Sequence, residues 1–147
     1  MSLIPAWMVM RVVEWAEHDA PLETCGIFTG RNKAESVQKL TNVAASPEHN
    51  FRMHPKQLVN VSNELERRGH RIVGTFHSHP HSDPLPSMKD YKGLRAIHAD
   101  FHLIVAPLTS RDWRADLFDS ELNRVGVRMF DAPDGIGFDS MSRGPGE

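Results

Sequence analysis

Cysteine is almost absent from this chain, because Cys25 is the only one among 147 residues. One thiol cannot form a disulfide within the chain, and it cannot build a zinc site from several cysteines. This scarcity is typical of a protein of the reducing cytoplasm, which is the location that we expect. Cys25 has no obvious base nearby in the sequence, so we interpret it as a small buried strand residue rather than a nucleophile.

Long apolar runs and an excess of positive charge are also lacking. No stretch approaches the length of a transmembrane helix, and the apolar residues 3–10 are followed by Arg11, Glu14 and Glu17. That start is typical of an amphipathic helix rather than a signal peptide. The net charge of −2 argues against a protein that binds nucleic acid by neutralising phosphates. We therefore expect neither a nucleic acid nor a membrane as a partner.

The order of the patterns predicts one α/β domain with a mixed sheet. Apolar periodicity, proline at helix starts and Gly69 after the second helix predict three helices, at 5–19, 55–68 and 87–98. Short apolar or alternating stretches predict six strands, at 24–29, 36–43, 71–78, 101–106, 113–119 and 124–130, the last three as a meander. The domain should span 1–130. Residues 131–147 are rich in Gly, Pro, Ser and Met, which predicts a flexible tail or a strap over the domain.

The segment 77–90 carries the strongest chemical signal. His77 and His79 alternate with Ser78 along a strand, so both imidazoles should project from one face. Pro80 ends the strand, and Ser87 stands where a helix N-cap belongs, with Asp90 in the first turn. Two histidines and one carboxylate, with room for water in a fourth position, are typical of a catalytic zinc site.

Simpler interpretations exist for each part of this segment. Ser87 and Asp90 also form a capping box, with an acid at the positive end of the helix dipole. A lone His-x-His is usually two polar strand residues. The whole string in register nevertheless favours a metal. The helical His-Glu-x-x-His motif is absent, a deaminase site would need more cysteines, and an amidohydrolase barrel would need a longer chain.

His77-x-His79-Pro80, followed by Pro86-Ser87-x-x-Asp90, resembles the JAMM motif of the MPN+ zinc metalloproteases. Residues 21–30 and 42–55 resemble further segments of the compact prokaryotic members. The resemblance implies a single MPN (JAMM) domain with a mixed central sheet flanked by helices, in a cytidine-deaminase-like arrangement. It also implies one Zn²⁺ per chain held by His77, His79 and Asp90. Glu23 would hold the zinc-bound water that attacks, and Ser87 would line the oxyanion site. Without the resemblance, Glu23 would be interpreted as a surface acid at a strand edge.

The family cleaves peptide or isopeptide bonds, so the resemblance implies an (iso)peptidase. Its substrate would be a ubiquitin-like or sulfur-carrier protein, whose extended C-terminal tail precedes the cleaved bond. The short span between Asp90 and Phe101 leaves no room for the long insertions of eukaryotic deubiquitinases. Two alternatives remain open: a non-catalytic MPN scaffold, and a zinc hydrolase of small amides. The oligomeric state is left open between a monomer and a homodimer. The other histidines of the loops and of the third helix's end, His49, His54, His81, His98 and His102, are not assigned to the site.

Overall fold

The computed structural model describes residues 4–131, in which three helices and six strands follow one another in the predicted order. The elements are α1 (Ala6–Asp19), β1 (Cys25–Gly30), β2 (Ser36–Leu40), α2 (Pro55–Arg67), β3 (Arg71–Ser78), α3 (Met88–Arg95), β4 (Phe101–Pro107), β5 (Asp112–Asp119) and β6 (Arg124–Asp131). None of the helices within 4–131 has the length and apolar character needed to cross a membrane. The prediction for the tail after Asp131 lies outside the described residues.

All six strands form one mixed sheet in the order β2-β1-β3-β4-β5-β6. Only β3 and β4 are parallel, and α3 lies in the connection between them. The other neighbours are antiparallel, and β4, β5 and β6 form the predicted meander. A parallel pair needs such a crossover connection, which is why the segment after β3 must leave the sheet and return. Helix α3 lies in this connection, and its first turn is close to the end of β3.

Apolar side chains cover both faces of the sheet. On one face α1 packs against the strands through Met8, Val12 and Val13, together with Phe76 and Phe101 from the sheet. The opposite face carries two smaller clusters that lie beneath α2 and α3. Burial on both faces explains the nearly continuous apolar run of β3, whose last six residues are all buried.

Two elements end three residues earlier than the sequence pattern predicts. Strand β2 stops at Leu40, because the Thr41 backbone N–H donates to the Gln57 side chain of α2 at 2.8 Å instead of to a strand. Helix α3 stops at Arg95, and Ile97 turns back to pack into the apolar cluster beside α2. Gly69 ends α2 as expected and has a φ of 71°, a conformation that glycine adopts without strain.

Candidate metal centre

The antiparallel register of β1 and β3 brings Glu23 next to the two histidines. Cys25 is paired with His77, so two residues further out Glu23 lies opposite His79. One backbone and one side-chain hydrogen bond hold this end of the pair together: Ser78 N–H donates to the Thr24 carbonyl at 3.1 Å, and Thr24 N–H donates to the Ser78 hydroxyl at 2.8 Å. Residues that are more than fifty positions apart in the sequence thus meet at one end of the sheet.

Asp90 reaches the same point from the start of α3. The Asp90 backbone N–H donates to the Ser87 hydroxyl at 3.2 Å, and the Ser87 N–H donates to Asp90 Oδ2 at 2.8 Å, which forms a reciprocal capping box. The same Oδ2 lies 3.2 Å from His77 Nε2 and 3.1 Å from His79 Nε2. Asp90 is therefore both a helix cap and a neighbour of the histidines, so the two interpretations of this acid are compatible.

The side chains of His77, His79 and Asp90 present their polar atoms to one point. The two Nε2 atoms are 3.1 Å apart, and both lie at similar distances from Asp90 Oδ2. Glu23, His77 and His79 each offer a ligand atom, and these atoms lie within 4.8 Å of one another. The side chains of these three residues and of Asp90 are all buried. Of the five residues named from the sequence, four converge directly and Ser87 adjoins them through Asp90.

The lone pairs in this cluster fit a cation. The His79 ring nitrogen Nδ1 donates to the Asp83 carbonyl at 2.7 Å, so a neutral His79 ring that carries its proton on Nδ1 would present the Nε2 lone pair to a metal ion. Without a metal, His79 Nε2 lies against Asp90 Oδ2 and His77 Nε2. In addition, Glu23 Oε1 is buried and has no hydrogen-bond partner in the described part of the chain. Two imidazole nitrogens with carboxylate oxygens are ligands that suit Zn²⁺.

Burial and mutual contact shift the pKa values of these groups. Burial alone would raise the pKa of Asp90, but hydrogen bonds from His77 and His79 outweigh it and hold that pKa well below its ordinary value. Burial lowers the pKa of His77, against the pull of Asp90, and so favours the neutral imidazole that binds metals. Burial raises the pKa of Glu23 to about 7, with Asp90 adding to the rise and His79 opposing it.

A cavity of about 410 Å³ opens next to Glu23. Its wall combines the end of β2 and the following residues with Leu22, which is exposed, and the Lys39–Asp19 ion pair. β2 is an edge strand of the sheet. The cavity therefore extends from one edge of the sheet to the segment that carries Glu23.

The remaining candidates lie outside the cluster. Cys25 is buried, its thiol contacts the Leu40 carbonyl at 3.7 Å, and burial raises its pKa to about 12, which confirms the interpretation as a core residue. His102 is buried in β4 and bonds through Nδ1 to the Thr75 hydroxyl at 2.6 Å. His54 caps α2 by accepting from two backbone N–H groups, while His49, His81 and His98 are exposed.

Sequence reasoning missed three contributors to the site. Phe51 stacks on the His77 ring, with centroids 4.2 Å apart and planes 23° apart. Asn42 binds the loop that carries Phe51 and also donates to the Glu23 carbonyl at 3.0 Å. The third is the backbone carbonyl of Asp83, for which no side-chain signal exists. An aromatic residue in an otherwise polar loop was the one visible signal for Phe51.

Residues 5–116 match the family model described as prokaryotic homologs of the JAB domain. A desampylase from Haloferax volcanii is 36% identical over 112 residues, which cover 71% of this chain and 79% of the relative. A probable TtuB-protein conjugate cleaving protease from Thermus thermophilus is 38% identical over 77 residues, and the match spans 52% of each protein.

Solved structures support the fold. Protein DSY2949 from Desulfitobacterium hafniense superposes with a TM-score of 0.59 at 24% identity, covering 84% of this chain and 86% of that one. AF2198, a JAB1/MPN domain protein from Archaeoglobus fulgidus, gives a TM-score of 0.56 at 19% identity, covering 82% of this chain and 92% of that one. At these identities the likeness concerns the arrangement of the helices and the sheet.

Proposed function

The chain belongs to the family of prokaryotic homologs of the JAB domain, and from this membership we propose that it is a zinc-dependent peptidase of protein conjugates. The substrate is a ubiquitin-like or sulfur-carrier protein, and the bond cleaved follows its C-terminal tail. The observation that carries the proposal is the buried convergence of His77, His79 and Asp90 beside Glu23. The names of the two relatives support the substrate class, since one is a desampylase and the other is a probable protease of conjugates.

His77, His79 and Asp90 hold the zinc ion in this proposal. Their three ligand atoms already lie 3.1 to 3.2 Å apart, which is close to the spacing of ligands around one ion at zinc–nitrogen distances of about 2 Å. A bound zinc would act as a Lewis acid and generate a nucleophile from water near neutral pH. The Asp83 carbonyl holds the far ring nitrogen of His79, and the Ser87 N–H bonds to the Asp90 oxygen that faces the histidines, so outer partners orient both ligands.

Glu23 moves the proton in this scheme. Its side chain is buried beside the histidines, and Oε1 has no hydrogen-bond partner among the described residues, so it is free to accept a proton from an attacking water. The same carboxyl group can then donate that proton to the leaving nitrogen. Asn42 fixes the Glu23 carbonyl by a hydrogen bond of 3.0 Å, which restricts the backbone from which this side chain projects.

Ser87 supplies a hydroxyl to the substrate carbonyl. Its oxygen accepts from the Asp90 N–H at the start of α3, so the hydroxyl hydrogen remains available to a substrate oxygen. The residue is exposed, whereas Asp90 is buried, so Ser87 lies on the open side of the cluster. A donor in this position stabilises the negative charge that develops on the carbonyl oxygen during attack.

The cavity beside Glu23 receives the extended tail. It lies at the end of edge strand β2, where a peptide in extended conformation can lie along the sheet and bring its last carbonyl to the buried groups. Leu22 offers an exposed apolar contact in this wall.

The test is cleavage of an isopeptide-linked conjugate by matched glutamine variants. We expect Glu23→Gln to retain zinc and to lose at least about 100-fold in cleavage rate, because the general base is lost while the ligands remain. Glu48→Gln changes an exposed loop acid and should cleave at the wild-type rate. Full activity of Glu23→Gln would refute the role of this residue. Turnover of small amides but not of conjugates would refute the substrate class.

A further inference from the structure

The two histidines of the centre differ in how their rings are held. The His79 ring is anchored at its far nitrogen, because Nδ1 donates to the Asp83 carbonyl at 2.7 Å. His77 Nδ1 is buried and has no hydrogen-bond partner in the described part of the chain. A metal-ligating histidine usually has its ring orientation fixed by a hydrogen bond at the second nitrogen. Among the described residues the His77 ring has hydrogen-bonding groups only at Nε2, so the orientation of its far side depends on packing.

Phe51 provides a contact of the required geometry. Its ring lies against the His77 ring with a centroid separation of 4.2 Å and an interplanar angle of 23°. Near-parallel rings at this distance restrict rotation of the imidazole about its last side-chain bond, since turning it would drive its edge into the phenyl ring. His77 is fully buried, so water cannot replace this contact.

Phe51 is itself held in place by the loop that carries it. Asn42 uses its whole amide for this loop: Nδ2 donates to the Asn50 and Glu23 carbonyls, and Oδ1 accepts from the backbone N–H groups of Ala44 and Arg52, all at 3.0 Å. The Phe51 side chain also packs against both apolar clusters on this face of the sheet. Asn42 thus holds the backbone on either side of Phe51 and also bonds to the Glu23 carbonyl.

We propose that Phe51 is a positioning residue that orients the His77 ring for metal binding, in place of the hydrogen bond that this histidine lacks. The inference rests on the proposed function, because it assigns His77 as a zinc ligand. Without the stack, zinc must order the freed ring on binding, at a cost comparable to such a contact, about 0.5 to 1.5 kcal/mol, so zinc binding should weaken by about 2- to 10-fold. Asn42 contributes indirectly, because it holds the loop that carries Phe51.

Three variants of the full-length protein test the inference. Phe51→Leu keeps an apolar side chain but removes the flat ring, whereas Phe51→Tyr keeps the ring. Phe28→Leu is the matched control, because it removes a buried phenyl ring from the opposite face of the sheet. Zinc affinity is measured by competition with a chromophoric chelator, and the ring protons of His77 are followed by NMR in the metal-free protein.

We expect Phe51→Leu to bind zinc about 2- to 10-fold more weakly, with Phe51→Tyr and Phe28→Leu both within about twofold of wild type. The His77 ring protons should move downfield in Phe51→Leu alone, because the ring current of the stacked phenyl is lost. Wild-type zinc affinity in Phe51→Leu, or equal weakening in Phe28→Leu, would overturn the role of Phe51 and leave the proposed function standing. A wild-type protein that binds no zinc would overturn both.

Discussion

Replacement of Asp90 separates its two contributions, to the helix and to the metal. In the metal-free protein at pH 8, Asp90→Ala removes the acceptor of the Ser87 N–H and of the histidine contacts. The lost half of the capping box costs about 1 kcal/mol and the lost buried contacts with the histidines about 1 kcal/mol more, so the free energy of unfolding should fall by about 2 kcal/mol. Asp90→Asn keeps an oxygen for the Ser87 N–H and should lose about half of that.

Zinc adds a second and larger difference. At a free zinc concentration 100 times the dissociation constant, the ion stabilises the wild-type fold by about 2.7 kcal/mol. Loss of the Asp90 carboxylate should weaken affinity by at least about 100-fold, since even outer partners of metal ligands are worth 10- to 100-fold. At the same zinc concentration the stabilisation would then fall to about 0.4 kcal/mol or less in both variants.

Urea unfolding with EDTA and with buffered zinc measures both effects. The expected pattern is a graded loss of stability without metal, with alanine worse than asparagine, and an equal loss of the zinc-dependent increment. If Asp90→Asn retained the full zinc increment, Asp90 would not be a ligand. If Asp90→Ala matched wild type without metal, the capping box would contribute nothing.

Three further predictions concern the substrate cavity, the carbonyl site and the buried core. Leu22→Glu puts a charge in the cavity wall and should lower kcat/KM for conjugates by at least about tenfold, with zinc affinity unchanged. Wild-type kinetics in this variant would exclude the cavity as the binding site of the tail. Ser87→Ala should keep zinc but lose about 10²- to 10³-fold in kcat, as removal of an oxyanion donor does elsewhere; a wild-type kcat would contradict this role. Burial lowers the pKa of His102 from 6.5 to about 4, with His77 adding to the fall. The unfolded chain therefore binds this proton more readily than the folded protein does, and the free energy of unfolding falls as the pH drops from about 6.5 towards 4. Relative to His102→Gln, metal-free wild type should therefore lose about 2 kcal/mol between pH 7 and pH 5 in urea unfolding, and parallel pH profiles would refute the assignment.

Most of the metal cluster could be predicted from the sequence, because local rules determine where these residues lie. Strand alternation placed His77 and His79 on one face, and the turn chemistry before Ser87 predicted the helix start at which Asp90 lies. The order of helices and strands was predicted for the same reason. The strand ends were less accurate, since side-chain partners such as Gln57 end β2 by replacing a neighbouring strand.

Long-range contacts were the part that the sequence alone could not provide. Residue patterns indicate nothing about the register of β1 against β3, so Glu23 was identified through family resemblance alone. The stacking of Phe51 and the four hydrogen bonds of Asn42 depend on how a loop closes over the sheet, which no periodicity reports. The cytoplasmic location and the choice between monomer and homodimer remain predictions.

The central claim is that His77, His79 and Asp90 hold a zinc ion which the cleavage of conjugates requires. The most direct test measures bound zinc and the cleavage rate of an isopeptide-linked ubiquitin-like conjugate on one preparation, before chelation, after chelation and after zinc is restored. We predict one zinc per chain, loss of cleavage with the metal, and recovery when one equivalent returns. Equal cleavage by the metal-free protein, or a chain that binds no zinc at all, would contradict the account.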